Sequence, residues 1–378
     1  MISDNFFKSK TAIITLFAAC FVVLISLGVR QTFGLFFMDF NESLNISNTA
    51  FGLAIGIQML MWGLTGPIFG AIADRYGGHI AIISAFIFYT LGIYFLYTGP
   101  NTGIFFQIHM GLLIGIGLGG TAISIPMSVV GKHFPLSTRT IAMSFVTALG
   151  SFGYFVSPIF TNYSINEYGW NHTIFIFSLF LLTGIVAAYF VRSPSDNESI
   201  EKKSEQSFKE ALTEAFKTKS YILLVSGFFV CGFHITLVGT HVPKYVIDRG
   251  LEDWTAAAIL SLIGLFNIFG SLLSGYLSAK MSKKIILSGI YFLRGISIIL
   301  FIFTPASNVS AFFFGASFGF LWLSTVPATS GIVAHMFGTK YLGLLYGIVF
   351  LSHQIGSFFG AYLGGLFHDL YGSYDYAW

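Results

Sequence analysis

Arg30 stands inside the apolar run LISLGVRQTFGLFF, residues 24–37, which contains no acidic residue. A charge in such surroundings costs several kcal/mol unless an anion or water meets it. The chemistry open to it is therefore electrostatic. His234 and His241 lie seven residues apart in another apolar run, with Gly227 seven back, so a helix would put them on one face. Histidine can donate a hydrogen bond to a carboxylate and carry a proton near neutral pH. Asn267 heads a polar stripe with Ser271, Ser274 and Ser278, and His353 stands beside Gln354 in a third run. Each has a plainer reading. Arg30 lies about nine residues, or roughly 13 Å by helical rise, from the end of its run and could snorkel outward. A histidine within a run can bond to a carbonyl of the next helix, and small polar residues hold helices together. Arg294, about ten residues into its own run, reads equally as a structural group bonded to carbonyls or as a substrate contact.

The elements that must position these groups follow from composition. Hydrophobic residues make up 55% of the 378 and charged residues 9%, with a mean hydropathy of +0.78. Soluble domains carry about 25% charged residues. The chain is expected to be an all-α polytopic membrane protein. Runs of about 20 apolar residues suffice to span a bilayer. Eleven are read, at 12–37, 50–72, 80–98, 104–131, 140–164, 172–191, 220–243, 256–279, 285–303, 309–334 and 341–367. The first is too long for a cleaved signal peptide and no small-residue cleavage site ends it. With the N-terminus inside, the cytoplasmic segments hold Lys8, Lys10, Arg75, Lys132, Arg139, Arg192, Lys202, Lys203, Lys209, Lys217, Lys219, Lys280, Lys283, Lys284 and Lys340. Of 19 basic residues only Lys244 and Arg249 fall outside, with Arg30 and Arg294 within spans. This asymmetry sets the orientation. Cys20 and Cys231 both lie in apolar runs and imply no disulfide framework.

Residues 192–219 form the longest polar loop and divide the chain into an N-terminal half, 1–191, and a C-terminal half, 220–378. Within the loop, the spacing of Phe208, Leu212 and Phe216 predicts a short surface helix. The halves read as a duplication. Gly70 in GAIADRYGGH and Gly275 in GYLSAKMSKK stand 205 apart, and Gly150 and Gly356, each opening a Gly-Ser-Phe segment, stand 206 apart. A six-plus-six duplication predicts twelve spans, so the twelfth is expected to be missing from this eleven-span chain. Pro126, Pro158 and Pro327 are expected to kink spans four, five and ten, and the glycines of span four to allow close helix approach. GIGLGG in span four follows no strand and is not a phosphate loop.

GAIADRYGGH resembles the loop motif of the major facilitator superfamily in Gly70, Asp74, Arg75 and Gly77, with His79 at a usually basic position. The resemblance implies two six-helix halves, a central substrate site and a gating role for this loop. Within the superfamily, the chain looks like the monocarboxylate transporter and oxalate–formate antiporter group. Arg30-Gln-Thr-Phe-Gly-Leu-Phe-Phe37 and the segment His234–Tyr245 carry that likeness. The group often has an Asp and an Arg four apart in span eight, where this chain reads Asn267-Ile-Phe-Gly-Ser271. That departure bears on proton coupling and on lactate as substrate.

The expected activity is secondary transport of a small organic anion, a monocarboxylate, by alternating access, with protons as a second partner. Arg30 would pair with the carboxylate, and His234, His241, Asn267 and His353 would contact the substrate. The resemblance places the protein as a monomer in the bacterial inner membrane, with no cofactor, metal or nucleic acid. No nucleotide-binding motif appears, and Ser324 lacks the setting of a serine nucleophile, so an enzyme is not expected. The rival readings are a carrier of a neutral solute or drug, and a non-transporting membrane sensor.

Overall fold

The computed structural model describes residues 10–193, 208–338 and 342–378. Lys8, Lys202, Lys203 and Lys340, and most of the central loop, lie outside the described residues. Among the described residues, eleven helices are long and apolar enough to cross a membrane: Lys10–Leu44, Asn48–Tyr76, Gly78–Thr98, Ile104–His133, Ile141–Tyr168, Trp170–Ala188, Lys219–Asp248, Asp253–Lys280, Lys283–Phe303, Asn308–Phe337 and Gly343–Tyr371. They are called spans one to eleven. The surface helix of the central loop is present as Phe208–Lys217.

Alternating spans bring the charged ends together. Lys10, Arg75, Lys132, Arg192, Lys219, Lys280 and Lys283 gather at one end of the bundle, here the basic end. Asp39, Glu42, Asp248, Glu252, Asp253 and Asp369 gather at the other, the acidic end.

Three spans are not single helices, and their breaks position the interior. Span one runs as helix from Lys10 to Gln31, tightens into a 3-10 turn at Phe33–Phe36 and resumes to Leu44. Span four stops at Thr121 and restarts at Ser124, and span ten stops at Phe320 and restarts at Thr325. Pro126 and Pro327 were expected to kink their helices. Each instead occupies the third position of the restarted helix. A proline in a first turn forfeits no intrahelical bond, because that N–H has no acceptor within the helix. Pro158 lies inside the uninterrupted helix Leu136–Tyr168.

Side-chain bonds with neighbouring spans gather at both breaks, and at span ten they take up freed backbone groups, which left unpaired in a bilayer would cost several kcal/mol. At span four, Thr121 Oγ1 bonds to the Gly117 carbonyl at 2.9 Å and to Ser26 Oγ at 2.6 Å, while Tyr89 donates to the Ser26 carbonyl at 3.0 Å. At span ten, the Leu323 N–H donates to Asn267 Oδ1 at 3.0 Å, and Ser274 donates to the Ser324 carbonyl at 2.5 Å. Arg294 supplies the rest.

Spans one to six meet spans seven to eleven mainly through span two on span eleven and span five on span eight. The joining bonds run from the acidic end to mid-membrane. Asp369 accepts from the Asn48 and Thr49 N–H groups at 3.3 and 2.7 Å, and from their side chains at 2.7 and 2.6 Å. Tyr374 donates to Asn48 Oδ1 and Asn166 to Asp253, and deeper in the membrane Asn267 Nδ2 donates to Ser151 Oγ at 2.9 Å. Toward the basic end, the Cα atoms of Gly70, Gly275, Gly343 and Gly347 face open space. Ser124, Ser128 and Lys132, each four apart, form an exposed polar stripe on the basic half of span four. Among the described residues, the bonds that join the two sets of spans thus lie from the acidic end to mid-membrane and close the bundle at its acidic end.

Candidate functional site

The two intramembrane arginines occupy opposite situations. Arg294 is fully buried. Its guanidinium donates to the Leu321 carbonyl at 2.6 and 3.1 Å, to the Trp322 carbonyl, and to Cys231 Sγ at 3.0 Å. The rings of Tyr291 and Phe318 lie within 6 Å of it as well. The break in span ten frees these carbonyls, and Arg294 takes them up. Its role here is that of a structural staple.

Arg30 is 9% exposed, so it neither snorkels to the end of span one nor reaches lipid. Among the described residues its one hydrogen bond is from Nη2 to Met59 Sδ at 3.2 Å. A thioether is a weak acceptor, and a guanidinium carries five N–H donors. Tyr89 and Tyr154 lie close enough to feel its charge, but the Tyr89 hydroxyl is spent on the Ser26 carbonyl. Arg30 sits on the last helical turn of span one before the 3-10 segment. Gly28 and Gly34 let that stretch approach its neighbours closely. A Cβ at Gly28 would meet Ser157 Oγ at 2.4 Å, and one at Gly34 the Gly239 carbonyl at 2.9 Å. The charge is therefore held at the meeting of spans one, two, five and seven.

The histidines of span seven share a stripe but not a setting. His241 is buried and its Nε2 lies 2.7 Å from the Ala361 carbonyl. A Cβ at Gly364 would strike its ring at 2.4 Å, so the glycine makes room for it. His241 clamps span seven to span eleven near the acidic end. His234, at the midpoint of the span, is partly buried and its Nδ1 has no hydrogen-bond partner. His353 stacks on Phe350 at 5.9 Å and 4° and lies 4.9 Å from the Phe228 ring. Its Nδ1 is 3.3 Å from Gln354 Oε1. Asn267 is fully buried, with its amide divided between Ser151 and the Leu323 N–H.

The predicted gating loop lies at the basic end. Asp74 pairs with Lys132 at 3.1 Å, joining spans two and four. The two side chains are 75% and 36% exposed, so the pair contributes ~1 kcal/mol at most. Arg75 lies over the Tyr76 ring at 5.2 Å. Gly77 ends span two at φ +97°, a conformation only glycine adopts without strain. Gly78 follows, where a Cβ would meet Val129 at 2.3 Å.

Several groups near Arg30 escaped the sequence reading. Both polar atoms of Gln31 are buried without a partner, and the residue is 2% exposed. Trp62, one turn below Met59, meets Phe350 of span eleven edge-on at 6.2 Å. A tryptophan at mid-span is itself a signal, since tryptophan in membrane proteins gathers at the interfaces.

Comparison with known proteins bears on the whole of this arrangement. The chain is 22% identical to the MFS-type transporter YcxA of Bacillus subtilis, over 94% of this chain and 88% of that one. It is equally 22% identical to monocarboxylate transporter 13 of Rattus norvegicus, over 94% of this chain and 82% of that one. Among solved structures, a bacterial homologue of the human lysosomal transporter Spinster, inward-facing and unoccupied, aligns with a TM-score of 0.75 at 16% identity, over 96% of this chain and 84% of that chain. The fucose:proton symporter FucP of E. coli aligns with a TM-score of 0.63 at 16% identity, over 97% and 95%. The family model described as the Major Facilitator Superfamily matches residues 19–361. With eleven spans, paired breaks in spans four and ten and this match over nearly its full length, the chain belongs to the major facilitator superfamily of membrane transporters.

Proposed function

We propose that this transporter carries a small organic anion, a monocarboxylate, by alternating access, and that Arg30 receives the carboxylate. The observation that carries the reading is the guanidinium of Arg30, held in mid-membrane with a thioether as its one hydrogen-bond partner among the described residues. A desolvated cation in that state is strongly favoured by an incoming anion. The monocarboxylate transporters among the relatives support the same class. The basic end is the cytoplasmic one by charge asymmetry, in a bacterial inner membrane with the N-terminus inside. The closed acidic end then makes this the inward-facing state. The transporter works as a monomer, with spans one to six and seven to eleven rocking about the site. His234 is the proton carrier, because its Nδ1 is free of protein partners while His241 is committed to Ala361.

Uptake of labelled monocarboxylates in cells at two external pH values tests this. Arg30→Gln should lower uptake at least about thirtyfold, the equivalent of ~2 kcal/mol lost from a buried charge pair. His234→Gln should retain uptake but remove its rise at the lower pH. Unchanged uptake in Arg30→Gln would refute the anion reading, and an unchanged pH response in His234→Gln would remove that residue as carrier.

A further inference from the structure

We infer that the carried acid bears an aromatic ring, which rests against Trp62 and Phe350 while its carboxylate meets Arg30. The inference rests on the carboxylate reading above and narrows it to a substrate class. Trp62 is three residues on from Met59, whose Sδ takes the Arg30 bond. It therefore lies on the same face of span two, about 4.5 Å further toward the basic end. Its ring is partly buried and faces span eleven, not lipid, where it meets Phe350 at 6.2 Å and 70°. Phe350 is stacked in turn on His353, and His353 lies tilted at 48° against Phe228 of span seven, 4.9 Å away. A row of four rings thus starts one helical turn from the methionine that holds Arg30 and crosses from span two to spans eleven and seven, while the other intramembrane cation, Arg294, is taken up by the Leu321 and Trp322 carbonyls.

That row contains no acidic group. A ligand matching it has one negative charge at one end and a flat apolar body at the other. Aromatic rings meet in offset or edge-on geometries that add about 0.5–1.5 kcal/mol beyond area burial. Acetate or lactate would satisfy Arg30 and leave the ring surfaces uncovered. Trp62 and Phe350 also come from opposite sides of the molecule. A substrate ring resting against this edge-on pair touches both spans two and eleven, so substrate size is read where those spans meet.

Binding of acetate, lactate, benzoate and phenylacetate to the purified chain, measured by ligand-induced thermal shift at pH 7.5, tests this. All four acids are ionised at that pH. In the wild type, phenylacetate should half-saturate at a concentration at least about tenfold below that of acetate. Trp62→Leu and Phe350→Leu should reduce that ratio below about threefold while acetate binding stays within about twofold. Trp62→Phe, which keeps a ring, should restore most of the preference. A ring pair serving only to pack the helices would weaken all four acids alike and leave the ratio unchanged, which would overturn the inference, as would acetate binding as tightly as phenylacetate in the wild type. Binding of small acids that is lost in Arg30→Gln, with no ring dependence, would refute this inference alone. Binding of none of the acids would refute the carboxylate reading, and this inference with it.

Discussion

Arg30 and Arg294 are the same residue type at similar depth, and what separates them is the supply of acceptors. Arg294 lies where span ten unwinds, and the Leu321 and Trp322 carbonyls released there are its partners. Arg30 lies where span one tightens from α-helix to a 3-10 turn, and its partner is a sulfur atom. Opposite effects on stability follow. Arg294→Gln removes a cation and strands buried carbonyls, each worth about 1–3 kcal/mol unsatisfied. The loss should be about 3–5 kcal/mol, seen as a melting temperature several degrees lower in detergent. Arg30→Gln, which relieves an uncompensated charge, should melt at or above the wild-type temperature. A thermal melt of both purified variants reads this directly, and a large loss in Arg30→Gln would mark it as structural. The sequence placed both arginines within spans, set Arg30 at the substrate, and left Arg294 open between a structural role bonded to carbonyls and substrate contact. The distinction depends on carbonyls freed at 321–322, and the one sequence cue, Pro327, marks the restart of the helix and not its break.

At the scale of elements, glycine spacing was the most legible signal and the structure explains it. Gly150 and Gly153 of span five lie on span one, where Cβ atoms would meet Val23 and the Leu24 carbonyl at 2.8 and 2.4 Å. Gly356 and Gly360 of span eleven lie on span seven, where Cβ atoms would meet the Phe229 and Phe233 carbonyls at 1.9 and 2.3 Å. The repeated landmarks therefore mark equivalent helix pairs, one–five and seven–eleven. Gly232 completes the second contact from span seven, against the His353 carbonyl at 1.9 Å. Gly356→Ala cannot fit without moving one backbone from another, so it should destabilise by about 1–3 kcal/mol. Gly347→Ala, on the same helix but facing open space, should be neutral or stabilising by up to about 1 kcal/mol through helix propensity. Melting curves of the two variants test the contrast, and equal effects would count against glycine-mediated packing. The polar stripe Asn267–Ser278 was legible as a stripe, but its targets were not. Asn267 and Ser274 serve the break in span ten, which lies about 50 residues away in sequence and is invisible to helical periodicity.

For the whole molecule, transport requires that the contacts closing the acidic end be strong enough to hold and weak enough to release. Asp369 is the centre of that closure. Its carboxylate accepts from the first two N–H groups of span two and from the side chains of Asn48 and Thr49. A negative charge at a helix N-terminus is favoured by the unpaired N–H groups and by the helix dipole. Asp369 belongs to span eleven, so every one of these bonds joins the two moving parts and must break when the acidic end opens. Among the described residues, nothing else at that end combines a full charge with four donors across the divide. Tyr374 to Asn48 and Asn166 to Asp253 are single bonds. The site is exposed, so screening reduces its worth to about 1 kcal/mol. Asp369→Asn should therefore shift the equilibrium about fivefold toward the state open at the acidic end. Spin labels on cysteines at Glu42 and Tyr376, exposed positions on the two parts, would read the shift as a growing long-distance population. The native Cys20 and Cys231 are buried and should stay unlabelled. Raised ionic strength should move the wild type in the same direction and leave Asp369→Asn nearly unchanged. A distance distribution identical in the variant and the wild type would show that packing of span two on span eleven, rather than this carboxylate, holds the end closed.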